Sequence, residues 1–77
     1  MKTITKIDAQ ALAIGIQKIL LEMKKHGDND PAYPVKEFER LIMEEKLVSK
    51  KDAERVTERV INTGIIRWEI FANNFVL

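Results

Sequence analysis

The stretch from Ser49 to Leu77, SKKDAERVTERVINTGIIRWEIFANNFVL, narrows the choice of folds more than any other part of the chain. Ser49 is placed to cap a helix, and Asp52 stands three residues on, where a capping box prefers glutamate. Ala53, Val56 and Val60, with Ile61 beside them, recur at helical spacing and form one inward line. Gly64, after Thr63, supplies the left-handed exit that ends such a helix, about 50–63. The pattern then changes period. Ile65 to Phe71 alternates, with Ile66, Trp68 and Ile70 on one face and Arg67 and Glu69 on the other. Ala72, Asn73 and Asn74 suit a turn, since asparagine tolerates positive φ, and Phe75 to Leu77 return as a second strand. The hairpin is expected over about 65–77.

Upstream, Asp8 can cap a first helix of about 8–26, which Lys24, Lys25, His26 and Gly27 close. Leu12, Ile16, Ile19, Leu20 and Met23 are its expected core stripe. GDNDPAYP follows, and its two prolines forbid a continuing helix, so Ala32 and Tyr33 are read as extended. Pro34 suits the first turn of a second helix, about 34–46, with Val35, Phe38, Leu41, Ile42 and Met43 inward. A chain of 77 residues buries only about 60% of its unfolded surface and holds one domain, 1–77. The expectation is a mostly α fold with a small β-hairpin, ordered helix, short strand, helix, helix, strand, strand.

That order resembles the winged helix-turn-helix superfamily over nearly the whole chain. Within it, the stretch from Pro34 is similar to the C-terminal winged-helix domain of archaeal minichromosome maintenance helicases, through Pro34, Val35, Ser49, Ala53, Glu54, Gly64, Ile66, Glu69 and Phe75. The hairpin departs from that family at Ile70 to Asn74, where proline and glycine are frequent. The resemblance implies the fold and a binding-module role, with the third helix as the element that would enter the major groove of double-stranded DNA.

On that implication, Lys50, Lys51, Arg55, Arg59 and Asn62 of the third helix, with Arg67, Asn73 and Asn74 of the hairpin, are the candidate nucleic-acid contacts. Lysine and arginine neutralise phosphates, and arginine can also read guanine through paired hydrogen bonds. Asp52, Glu54 and Glu58 share the helix, however, and Glu54 four residues after Lys50 describes an ordinary solvated ion pair. The expected wing tip, Ala72 to Asn74, carries no charge and releases no counterion. Net charge is only +1, so any nucleic-acid site has to be local. Trp68 is expected to pack in the core between Ile66 and Ile70, base stacking or anchoring of a partner being the alternatives.

A second apolar line, Ile7, Ile14 and Leu21, runs a heptad apart on the far side of the first helix. Either neighbouring segments cover it or it is a contact face for a protein partner or a second copy. The first reading is therefore a small DNA-binding protein, regulatory in transcription or replication and dimeric through the first helix. The alternative is a protein-interaction module with little DNA affinity. Nothing points to an enzyme. Cysteine is absent, His26 is alone, and there is no phosphate-binding glycine loop, so no catalytic, cofactor or metal residues are proposed. The run from Ala9 to Met23 is too polar for a membrane span or signal core, and the cytoplasm is the expected compartment.

Overall fold

A computed structural model describes residues 8–77. The elements are α1 (Ala9–Lys25), β1 (Ala32–Pro34), α2 (Val35–Lys46), α3 (Lys50–Asn62), β2 (Arg67–Glu69) and β3 (Asn74–Val76). The element order is the one expected, and the boundaries move by a few residues. Asp8 caps α1, its carboxylate accepting from the amides of Gln10 and Ala11. Ser49 caps α3, its hydroxyl accepting from the Asp52 amide. Gly27 and Gly64 both take positive φ where the chain leaves a helix. The exit from α2 differs, because Leu47 holds the left-handed conformation there at φ 54°.

The three strands form one antiparallel sheet in the order β1-β3-β2. Tyr33, Phe75 and Trp68 stand opposite one another, and so do Ala32, Val76 and Arg67. Directly opposed residues share a face, so the row of Tyr33, Phe75 and Trp68 is turned toward the helices and the row of Ala32, Val76 and Arg67 is turned away from them. Phe75 is fully buried and meets Phe38 of α2 edge to face, with ring centroids 5.5 Å apart. Around this pair close Ala13, Ile16 and Leu20 of α1, Val35 and Ile42 of α2, Ala53, Val56 and Val60 of α3, and Ile66. Thr57 is buried among them, its hydroxyl donating to the Ala53 carbonyl at 2.9 Å.

Several expectations on burial are corrected. Ala13 takes the place in the α1 core stripe that Ile19 was expected to hold, and Ile19 and Leu41 are exposed. Trp68 is 40% exposed, although its place in the alternation is the expected one. β2 is an edge strand, whose inward residues have strand neighbours on one side only among the described residues. The hairpin turn occupies Ile70 to Asn73 and not Ala72 to Asn74, so Ile70 leaves the strand and is 63% exposed, and Phe71 is 98% exposed. Asn74 lies in β3, opposite Glu69 and Pro34. Among the described residues no helix is long and apolar enough to cross a membrane.

Candidate nucleic-acid interface

Helix α3 presents its solvent side through residues spaced three and four apart. Lys51, Arg55, Glu58 and Asn62 make the central row, and all four are exposed. Lys50 and Glu54 flank this row on one side, and Arg59 flanks it on the other, near Asp52. Among the described residues none of the charged groups on α3 is in a salt bridge, so the expected pairing of Lys50 with Glu54 is absent. Arg40 of α2 provides the contrast. Its guanidinium donates to Glu37 at 2.8 Å and to Glu44 at 2.7 Å, and these hydrogen bonds raise its pKa further above the usual arginine value. The four cations of α3 are therefore available to an outside anion.

A shallow groove joins α3 to the rest of this face. It is lined by Lys36, Glu39, Arg40 and Met43 of α2, Lys50 and Glu54 of α3, and Asn73 of the hairpin turn. The backbone explains the meeting. Pro34 pairs with Asn74, and the Val35 amide donates to the Asn73 carbonyl at 3.0 Å, so the turn rests against the start of α2. The sequence grouped Asn73 of the turn with α3, as the structure does, but Lys36 was not among the candidates. The signal for Lys36 was its place just after Pro34, at the helix start that abuts the turn.

Two candidates fall elsewhere. Arg67 and Asn74 line a different hollow, on the side of the sheet away from the helices, with Lys24, Asp30, Glu69 and Leu77. Arg67 donates from Nη1 to the Leu77 carbonyl at 3.2 Å. Neither residue joins the α3 face.

The turn itself is braced from both sides. Glu69 accepts from the amide of Phe71 through Oε1 at 3.1 Å and from that of Ala72 through Oε2 at 2.7 Å. The Trp68 indole N–H donates to Asn73 Oδ1 at 3.0 Å, which fixes the orientation of that amide and leaves its NH₂ group for other partners. Asn73 holds φ 56°, as asparagine tolerates.

The apolar line of α1 is also on the surface. Ile14 is 42% and Leu21 51% exposed, whereas Ile7 lies outside the described residues. His26 ends α1 with Nε2 3.4 Å from Glu22 and is largely exposed. Among the described residues no three metal-ligating side chains gather.

Comparison of the chain with protein-family models, with curated proteins and with solved structures finds no significant match.

Proposed function

We propose that this chain is a winged-helix DNA-binding module that lays α3 in the major groove and presses the start of α2 and the hairpin turn against the flanking backbone. The observation that carries it is the set of four exposed α3 cations, Lys50, Lys51, Arg55 and Arg59, none held in an ion pair among the described residues. Lys51 and Arg55, on the central row, are the groups placed to meet base edges and phosphates, with Asn62 about two turns beyond Arg55. Lys50 and Lys36 line the groove with Asn73 and suit phosphates on one flank. Glu54 and Glu58 stand between these cations and hold non-specific affinity down, which favours a module that selects its site over one that coats DNA. Regulation of transcription or replication fits that behaviour, and a cytoplasmic setting goes with it.

The experiment is a salt series of duplex binding. Four neutralised phosphates give a slope of log affinity against log salt of about −3.6, and exchanging Lys51 and Arg55 for glutamate removes binding. An affinity flat with salt, or untouched by that exchange, rejects the reading.

The exposed Ile14 and Leu21 on α1 support pairing of two copies, which one short recognition helix needs for useful affinity. The same line favours the second reading, a module that contacts a protein and not DNA. A native mass separates them: a dimer that Leu21→Glu splits supports pairing, and a monomer without DNA affinity supports the protein-contact reading.

A further inference from the structure

The tip of the hairpin carries an exposed apolar pair, Ile70 and Phe71, that the core does not use and that α3 does not explain. Phe71 is 98% exposed, which no packing requirement of the domain demands. We propose that Phe71, with Ile70 behind it, is a wedge that enters a base step of bound DNA beside the α3 site and unstacks it. This rests on the DNA-binding reading above. Apolar side chains pushed between base pairs partly unstack them and kink the duplex by about 20–90°.

Four features of the tip favour this occupant. Asn73 of the turn, two residues after Phe71, lines the groove with Lys36 of α2 and Lys50 of α3, which brings the tip next to the side where the proposed duplex sits, while Ala72 lines the hollow on the other side. The tip is rigid: Glu69 ties down the amides of Phe71 and Ala72, and Trp68 ties down Asn73, so force on the ring is transmitted to the domain. The Asn73 NH₂ group, left over from the Trp68 bond, is a donor, and minor-groove base edges offer mainly acceptors. Area argues the same way. A phenylalanine buries about 150–250 Å², far from the roughly 800 Å² per partner of a stable protein interface, yet enough to fill one opened base step. Its chain neighbours Glu69, Ala72 and Asn73 add little apolar surface, and the half-exposed Trp68 is held at the base of the turn by its bond to Asn73.

The test uses mixed-sequence duplexes rich in the flexible TA and CA steps, carrying 2-aminopurine at successive positions, at low salt. Wild-type protein should raise the fluorescence severalfold at one step. Phe71→Ala should abolish that rise while keeping the salt slope and losing less than tenfold in affinity, and Phe71→Leu should restore most of the rise. The ring packs against nothing, so neither variant endangers the fold. Salt-dependent binding without unstacking, or unstacking that Phe71→Ala leaves intact, overturns the wedge, keeps the DNA reading and assigns the tip to a protein contact. Absence of any duplex binding by the wild type rejects the DNA reading, and the wedge with it.

Discussion

Leu47 offers the sharpest check on the local energetics of the α2 to α3 turn. It ends α2 at φ 54° and ψ 45°, and its side chain is 85% exposed. An L-residue in this region costs about 1–2 kcal/mol, because Cβ crowds the following carbonyl. Glycine escapes that cost but carries more unfolded-chain entropy, which returns about 0.5–1 kcal/mol. The difference spans about 0–1.5 kcal/mol, so Leu47→Gly should stabilise the domain by about 0.5–1 kcal/mol, the middle of that range. At about 4–8 °C per kcal/mol for a domain of this size, the melting temperature rises by about 2–8 °C. Leu47→Ala is the control, since it keeps Cβ and removes only exposed atoms, and it should stay within about 0.5 kcal/mol of wild type. Thermal and urea unfolding of the three proteins decide the matter. If Leu47→Gly melts at or below wild type while Leu47→Ala is neutral, the strain assigned to this turn does not exist. If Leu47→Ala is strongly destabilising, the leucine packs in a way its exposure does not show.

Two further outcomes follow from the core and the sheet. Phe75→Ala should cost about 3–5 kcal/mol, a large part of the about 5–15 kcal/mol typical of a folded domain; a loss under about 1 kcal/mol in urea unfolding would contradict the place of Phe75 at the centre of the core. Tyr33 is the one tyrosine in the chain, and partial burial, then the nearby Glu37, raise its pKa above 10.0 against the opposing pull of Arg40. A raised folded-state value means its contribution to stability is complete below the unfolded pKa and is lost as pH climbs through the folded one, so tyrosinate absorbance in the native protein should titrate above that in denaturant. Equal midpoints would remove the claimed burial.

The helices were legible because their ends are written in single residues. Asp8, Ser49, Gly27 and Gly64 each do locally what a cap or an exit requires, and tertiary packing did not overrule them. The hairpin was legible in its parity but not in its burial. Alternation places Trp68 on the inward row, yet whether that row is covered depends on strand order, and nothing in Ile65 to Phe71 says that β2 lies at an edge. The turn was misplaced for a related reason. Two asparagines compete for the position of positive φ, and only the pairing of Asn74 with Pro34 and Glu69 leaves Asn73 to take it. Ile19 and Ala13 show the same limit on a helix, because residue size suggests the larger side chain faces inward while the core takes the smaller. The α3 candidates were found as a set, but Arg67 and Asn74 were grouped with them by sequence nearness, which the two faces of a sheet undo.

The position of β3 between β1 and β2 also shapes how the domain assembles. β2 meets β3 across the short turn from Ile70 to Asn73, a closure of microseconds, whereas β1 must wait for the whole of α2 and α3 to bring Val76 back to Ala32. Among the described residues β1 and β2 do not pair, and each has β3 as its one strand neighbour. The sheet thus has a single point of failure: whatever peels β3 away frees both edges at once and draws Phe75 out from between the helices. Amide exchange in β1 should therefore follow that in β2 as one event, although the two strands stand on opposite margins of the sheet.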